Sequence, residues 1–121
     1  MAEHLITGKK GEAIALEYLR NEGFDIIGVN WRRGHLEIDI IAKEGNQLVI
    51  VEVKSRHSNF FGEPEMAVNK KKQHLLARAA KEYIYQTGYN GETRFDVIGI
   101  LFTYQKHRLL HIRDAFLPGV F

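Results

Sequence analysis

An apolar run in the middle of the chain carries two charged residues, and this combination constrains the fold most. Residues 48–53 are rich in β-branched side chains and have the length of a strand. Because the apolar residues do not alternate with polar ones, we expect the strand to be covered on both faces. Glu52 and Lys54 are two residues apart, so their side chains leave the same face. Charges there cost free energy unless they are paired or bind a metal.

Length and composition restrict the remaining possibilities. The 121 residues are expected to form one domain, residues 1–121, with its own core. The sequence has no cysteine, which excludes disulfides and thiolate metal sites and fits a cytoplasmic, reducing location. No signal peptide and no membrane-spanning run is present, so no membrane partner is expected. The net charge of +2 does not by itself indicate nucleic-acid binding.

Periodicity and turn residues predict two helices and five strands, hence an α/β protein. The first helix is predicted over residues 7–22, with Gly23 as its left-handed C-terminal residue. The second is predicted over residues 70–87, between Asn69 as N-cap and Gly88. The strands are predicted at residues 24–30, 36–42, 48–54, 94–102 and 106–112.

Both helices place polar residues on the face that should be buried. In the first helix this residue is Glu12, although an acidic residue in a first turn is also favoured by the helix dipole alone. In the second helix the apolar stripe extends back to Lys72 and Gln73, at an N-terminus where an anion is favoured. Lys70 and Lys71 are most simply explained as a solvated charge run.

The hairpin between the second and third strands gathers acidic residues. A two- or four-residue loop places Asp39 opposite Ile50 and Glu37 opposite Glu52. The three acidic side chains then share one face with Lys54. A loop of odd length would separate them, because a one-residue slip moves every side chain to the other face.

Such a set of side chains suits a hard cation. Mg²⁺ and Mn²⁺ prefer oxygen ligands, and a bound cation can activate water and neutralise charge on a phosphate. The alternative is a metal-free structural site held by a Glu52–Lys54 ion pair. His107 and His111 share a face of the last strand and are interpreted as surface residues rather than metal ligands.

A known signature matches these residues. Asp39, followed after twelve residues by Glu52-Val53-Lys54, resembles the PD-(D/E)XK nuclease signature. The rest of the chain resembles the YraN-like family of small uncharacterised bacterial proteins. The matching segments are Gly11-Glu12 with Ala15 and Tyr18-Leu19, Asn30-Trp31-Arg32, Glu37-Ile38-Asp39-Ile40-Ile41-Ala42, Val51-Glu52-Val53-Lys54-Ser55-Arg56, Val68 with Lys72-Gln73, and Arg94-Phe95-Asp96-Val97. The family is similar to Holliday junction resolvases and implies a restriction-endonuclease-like fold, a mixed central β-sheet of about five strands flanked by α-helices.

The resemblance also implies a catalytic site. The implied catalytic residues are Asp39, Glu52, Lys54, Glu12 and Gln73. Asp39 and Glu52 would bind Mg²⁺ or Mn²⁺ together with the carbonyl of Val53, and Lys54 would be the catalytic lysine. Glu12 would face the metal through water. Gln73, or Lys72, would be the auxiliary polar group of the second helix.

The resulting hypothesis is a metal-dependent DNA endonuclease that is selective for branched DNA. The residues expected to contact phosphates are Arg32, Arg33, Arg56, Lys70 and Lys72. The alternative is a non-catalytic nucleic-acid-binding or assembly protein that retains the nuclease fold. By analogy with resolvases, a homodimer is expected, with an edge strand or residues 116–121 at its interface.

Overall fold

Five strands form one sheet, with a helix packed on each face. The computed structural model describes residues 3–57 and 66–117, with side chains from residue 8 onward. The elements are α1 Glu3–Asn21, β1 Asp25–Arg33, β2 Leu36–Glu44, β3 Gln47–His57, α2 Lys70–Thr87, β4 Thr93–Thr103 and β5 Lys106–Ile112. The strand order is β1-β2-β3-β4-β5, and β3 and β4 are parallel while the other pairs are antiparallel. Parallel neighbours need a crossover connection, which contains α2.

The central strand is β3, and both of its faces are covered as predicted. Leu48 and Ile50 belong to a core cluster with Leu76 of α2. Val49 and Val51 belong to a second cluster, with residues of α1. This mixed α/β sheet between two helices confirms the restriction-endonuclease-like fold. Among the described residues, no helix is long and apolar enough to cross a membrane.

The ends of α2 are those predicted, because both are fixed by local chemistry. The Asn69 side chain accepts a hydrogen bond from the Lys72 amide at 2.8 Å, and Gly88 adopts φ 69°. The first helix begins earlier than predicted, at Glu3, and ends at Asn21. Gly23 follows it with φ 91°, in the predicted left-handed conformation.

The predicted register of the β2–β3 hairpin is wrong by two residues. The turn is Gly45-Asn46, with Gly45 at φ 60°, so Glu44 pairs with Gln47. Consequently Ile50 faces Ile41, not Asp39, and the ladder ends at the pair Ile40–Val51, before it reaches Glu37. A shift of two residues preserves the face of every side chain, whereas a shift of one would not.

In β2, the regular alternation of side chains between the two faces of the sheet is broken close to Asp39. Leu36 and Ile38 pack in the cluster on the α2 side, whereas Ile40 packs in the cluster on the α1 side. Strict alternation would place all three on one side. The β2–β3 ladder ends at the same place, and the carboxylate of Asp39 accepts a hydrogen bond from the Val53 amide instead, at 2.8 Å.

The first strand is longer than predicted. It continues to Arg33 and pairs with β2 up to Arg33–Leu36, so the turn is reduced to Gly34-His35. The register shifts between Ile26 and Gly28, and Asn30 has φ 52°. Irregularities of this kind make it harder for another strand to pair with the exposed edge of a sheet.

Candidate active site

Two acidic side chains meet where β2 and β3 separate. Asp39 precedes Ile40 and Glu52 follows Val51, and these two are the last paired residues of the ladder. The Glu52 side chain is only 14% exposed. Burial, the charge of Asp39 and hydrogen bonding with the Asp39 side chain raise the pKa of Glu52 from 4.5 to about 8. These effects favour the protonated form of Glu52 at neutral pH.

Glu12 of α1 lies close to this pair. Burial and the negative charges of Asp39 and Glu37 raise the pKa of Glu12, while a hydrogen bond from Asn30 lowers it. Its Oε1 atom is buried and has no hydrogen-bond partner. A buried acceptor without a partner costs roughly 1–3 kcal/mol of stability. This oxygen is therefore available to a hydrogen-bond donor or to a cation that coordinates carboxylate oxygens.

The helix can bring Glu12 this close because the preceding residue is glycine. A Cβ atom on Gly11 would lie 1.8 Å from the Ser55 Oγ atom and 3.0 Å from the Ser55 Cβ atom. Glycine inside a helix costs about 1 kcal/mol relative to alanine. Here it allows the backbone of α1 to approach β3, and this approach places Glu12 beside Asp39.

Lysine side chains lie on the other side of Glu52. Lys72 Nζ is 3.6 Å from a Glu52 carboxylate oxygen. The ammonium of Lys54 donates a hydrogen bond to the carbonyl of Ala67, in the segment that precedes α2. Together with Glu52 and Arg56, both lysines line a small cavity of about 230 Å³ at the N-terminus of α2. An anion that enters this cavity meets three positively charged side chains.

Two of the predicted site groups have other contacts. The Gln73 side chain donates a hydrogen bond to the Val68 carbonyl at 2.8 Å and lines a separate, largely apolar cavity of about 320 Å³. Val53 contributes its amide group to Asp39. The predicted roles of Gln73 as an auxiliary group and of the Val53 carbonyl as a ligand stay predictions.

The residues predicted to contact phosphates are not gathered at one point. Arg32 pairs with Glu37 at 3.0 Å, and Arg33 pairs with Glu82 at 3.3 Å. Both pairs are largely exposed, so they are of little energetic value and can exchange for other partners. Arg56 and Lys72 line the site cavity, whereas Lys70 is exposed at the start of α2.

The side chains fit a divalent cation by their chemistry. The charge of Asp39 acts on two other carboxyl groups, those of Glu52 and Glu12, and Glu12 has an oxygen without a hydrogen-bond partner. Oxygen ligands are those that Mg²⁺ and Mn²⁺ prefer. Within residues 8–57 and 66–117, no three acidic or histidine side chains already form a cluster that could hold a metal ion. Side-chain adjustment would therefore accompany binding.

A second buried acidic residue, on the α1 face of the sheet, was not predicted. Asp96 of β4 accepts two hydrogen bonds from Arg94, both at 2.8 Å, and one from the Asp114 amide at 3.0 Å. His111 Nε2 lies 2.8 Å from the same carboxylate, and Tyr18 of α1 bonds to the other ring nitrogen at 2.9 Å. The interpretation of His111 as a surface residue is wrong, since its side chain is 4% exposed. Strand alternation gives the face of a residue but not whether a helix covers that face.

Comparison with known proteins places the chain in a family. Residues 11–100 match the uncharacterised protein family UPF0102. The chain belongs to this family. A UPF0102 protein of Bacteroides thetaiotaomicron is 43% identical over 121 residues, which are 100% of both chains. A relative in Christiangramia forsetii is 42% identical over 116 residues, 96% of this chain and 98% of its own. One in Thermodesulfovibrio yellowstonii is 45% identical over 109 residues, 90% and 94% respectively.

Membership of UPF0102 confirms the resemblance to the YraN-like group. The matched region contains Glu12, the Asp39–Glu52 pair, and the lysines of the cavity, whereas His111 lies outside it. The family is described as uncharacterised, so membership assigns no reaction, substrate or cofactor.

Sequence reasoning missed two residues that shape the site. Asn30 bonds to Glu12 and has a positive φ, a conformation that asparagine tolerates better than most residues. Ser55 contacts α1 through Gly11, and its Oγ atom is buried without a partner. A glycine in an otherwise helical segment was the available signal for this close approach.

Proposed function

We propose that this UPF0102 protein is a metal-dependent endonuclease that hydrolyses phosphodiester bonds in DNA, with branched DNA as the preferred substrate. The observation that carries the proposal is a largely buried Glu52 whose pKa is raised by burial and by the charge of Asp39, together with a Glu12 oxygen that has no hydrogen-bond partner. Acidic groups held together in this way raise one another's pKa and cost free energy. A site that tolerates such a cost suits the binding of a cation.

The proposed ligands of Mg²⁺ or Mn²⁺ are Asp39 and Glu52, with the Val53 carbonyl as a third ligand and Glu12 acting through water. When bound, such a cation supplies charge neutralisation at the phosphate and a water molecule of lowered pKa. The chain itself fixes one carboxylate, because the Val53 amide holds Asp39 at 2.8 Å. Glu52 must lose its proton before it can act as a ligand.

The cationic side of the site suits a phosphate group. Lys54 and Lys72 line the same cavity as Glu52, at the N-terminus of α2. A phosphodiester that occupies this cavity would be oriented between the lysines and the carboxylates. Ammonium groups placed there would also stabilise the negative charge that grows on the phosphate during attack by water. Lys54 is the proposed catalytic lysine, and Gln73 is proposed as an auxiliary group.

A second candidate function is DNA binding without cleavage. Two observations favour it: the carboxyl groups are not already arranged as a metal cluster within the described residues, and the Lys54 ammonium donates to the Ala67 carbonyl. In that case the cationic cavity would hold a phosphate without hydrolysing it. Either activity on chromosomal DNA would take place in the cytoplasm, which the lack of cysteine also suits.

Cleavage of linear, flap and four-way DNA with Mg²⁺, Mn²⁺ or EDTA tests the proposal. We expect metal-dependent cleavage that falls at least about 100-fold in Asp39→Asn and Lys54→Ala, because each removes a group that acts in the transition state. Glu12→Gln should also lose activity, whereas Glu17→Gln, on the exposed face of the same helix, should not. Activity that persists unchanged in Asp39→Asn would indicate a contaminating nuclease and contradict the proposal.

The predicted homodimer is a further part of the proposal, since symmetric cleavage of a junction needs two sites. Phe116 is partly committed within its own chain, where it stacks on Phe95 at 5.2 Å. Leu117 is 82% exposed, and residues 118–121, the rest of the predicted apolar interface, lie outside the described residues. Sedimentation of the protein with and without four-way DNA measures the stoichiometry directly.

A further inference from the structure

The two helices that cover the sheet differ sharply in charge. In α2 there are five lysine or arginine residues and one acidic residue. In α1 there are three of each. The net charge of the whole chain is only +2, so the excess of positive over negative charge is concentrated on α2. The low net charge therefore conceals a basic surface, and surface distribution rather than total charge decides polyanion binding.

Three of the five cationic residues of α2 lie on one stripe on the solvent side, together with His74 and Tyr85. The members of this α2 stripe are Lys71, His74, Arg78, Lys81 and Tyr85, and all five are exposed. Their spacing alternates between three and four residues, so they lie above one another on one face of the helix. From the first to the last, the stripe is about 21 Å long. That length corresponds to the rise of roughly six nucleotides of one DNA strand.

The α2 stripe connects the candidate site with the turn between β1 and β2. At its first end, Lys71 adjoins Lys72, whose ammonium is 3.6 Å from Glu52. At its other end, Arg78, Lys81 and Tyr85 line a shallow cavity of about 380 Å³ beside Leu36. Arg33 reaches the same region, through its ion pair with Glu82. A single surface thus leads from the carboxylates to the β1–β2 turn.

We propose that the α2 stripe is the surface along which an arm of duplex DNA is held, with its sugar-phosphate backbone on Lys71, Arg78 and Lys81. This inference rests on the proposed function in taking DNA as the polyanion. It adds a direction, since the arm would run from the candidate site along α2 towards the β1–β2 turn. Contacts of this type position a duplex without reading its sequence.

The packing of α2 favours a nucleic acid over an anionic membrane. A basic helix that binds membranes inserts its apolar face between lipids. The apolar face of α2, which includes Leu76, Ala79 and Ala80, is buried against the sheet. Only the charged face is exposed, and it offers a polyanion electrostatic contacts without insertion. Tyr85, which is 87% exposed, adds an aromatic ring on which a frayed base can stack.

The test compares two triple variants that remove the same charge from different helices. The α2 variant is Lys71→Gln/Arg78→Gln/Lys81→Gln. The matched α1 variant is Lys9→Gln/Lys10→Gln/Arg20→Gln, whose three residues are also exposed. Binding of a fluorescent 20-base-pair duplex is measured by anisotropy in EDTA from about 50 to 200 mM KCl, the range over which released counterions report phosphate contacts.

We expect the α2 variant to bind on the order of tenfold more weakly and its log–log salt slope to become shallower by about 2 to 3, one unit for each lost phosphate contact. The α1 variant should keep the wild-type slope. Equal losses in both variants, no loss in the α2 variant, or no binding of DNA by the wild type would overturn the proposal. Stronger binding to phosphatidylserine vesicles than to DNA would overturn it as well.

Two further measurements keep the outcome unambiguous. If the triple variant loses its helical circular dichroism, the single variants Lys71→Gln and Arg78→Gln replace it, each expected to reduce the slope by about one. Because binding is measured without metal, it is independent of cleavage. Binding along α2 without any metal-dependent cleavage would contradict the proposed endonuclease and leave the DNA-binding surface in place.

Discussion

Two acidic residues on neighbouring strands lie in opposite electrostatic surroundings. Asp96 of β4 is fully buried on the α1 side of the sheet, and Glu52 of β3 is largely buried on the α2 side. Burial raises the pKa of both. Hydrogen bonds from His111, Arg94 and the Asp114 amide reverse this effect at Asp96 and hold its pKa at about 2. At Glu52 the neighbour is another carboxyl group, and the pKa rises to about 8.

The difference separates an acid that the chain neutralises with its own side chains from an acid that it neutralises only in part. The positive charge that neutralises Asp96 is built into the chain, and Arg94 is itself held by Glu44 at 2.9 Å. The pair Asp39–Glu52 is only partly neutralised, by Lys72 at 3.6 Å. Buried charges without adequate partners are costly. In the proposed function, a cation from solution would complete the neutralisation of the Asp39–Glu52 pair.

The largest expected effect concerns the built-in network. Asp96→Ala should lower the free energy of unfolding by about 3–5 kcal/mol, because it leaves the buried Arg94 guanidinium without its two-point partner. Urea denaturation measures this loss. Asp25→Ala, at an exposed position at the start of β1, should change stability by no more than about 0.5 kcal/mol. Equal effects of the two substitutions would show that the network does not stabilise the fold.

The pH dependence of stability should distinguish the two acids. The folded-state pKa of Glu52 is raised, so its stabilising contribution is complete below about pH 4.5 and is lost as pH rises through about 8. We expect the unfolding free energy in EDTA to fall by about 3–4 kcal/mol between pH 5 and 8. Glu52→Gln should flatten this decline, since the amide stays neutral. If the unfolding free energy of the wild type does not change between pH 5 and 8, Glu52 does not have the raised pKa that distinguishes it from Asp96.

Asp96 should act in the opposite direction and at lower pH. Its folded-state pKa is lowered from 3.8 to about 2, so its contribution is present above about pH 4 and is lost as pH falls towards 2. The acid limb of the same stability profile therefore reports Asp96, and Glu52→Gln should leave that limb unchanged.

The position of α1 links the two clusters, and its glycines provide a smaller, matched test. Gly11→Ala should cost about 1–2 kcal/mol, because the new methyl group would overlap Ser55. Gly8→Ala should instead stabilise by up to about 1 kcal/mol, since nothing lies within 4 Å of its Cβ position. Thermal unfolding measures both changes. If Ser55→Ala does not reduce the cost of Gly11→Ala, the contact is not its cause.

The smallest expected effect is that of the Tyr18 hydroxyl group. Tyr18→Phe removes its hydrogen bond to His111 and should cost about 1 kcal/mol. Tyr85→Phe, at an exposed position of α2, should cost almost nothing in chemical denaturation. Similar values for the two would mean that the bond between α1 and β5 contributes nothing to stability.

Local signals were sufficient for much of the fold. The ends of α2 follow from Asn69 and Gly88, and the buried β3 strand follows from its apolar composition. Hairpin parity predicted that Glu37, Asp39 and Glu52 share one face, and this prediction is wrong. A register shift of two residues alone would have preserved it, but β2 changes face near Asp39, so Glu52 lies on the α2 side and the other two residues do not. The turn itself depended on Gly45, which supplies the positive φ at the first turn position.

Long-range contacts were not available from the sequence. His111 is buried because Tyr18, in a helix 93 residues away, lies over it. Likewise, the pKa of Glu52 depends on Asp39 across a strand pair, and local sequence cannot give such a distance. The α2 stripe could be read from its spacing, but only the packing of the opposite face shows that it is solvent-exposed.

Calorimetric titration with Mn²⁺ at pH 7 tests most directly whether the acidic cluster takes up a cation. We expect binding of a metal ion, with release of about one proton from the Asp39–Glu52 pair, which appears as a dependence of the heat on the buffer's ionisation enthalpy. Glu52→Gln should abolish this binding and Glu17→Gln should preserve it. Absence of Mn²⁺ binding by the wild type at millimolar concentration, or equal binding by Glu52→Gln, would contradict the inference.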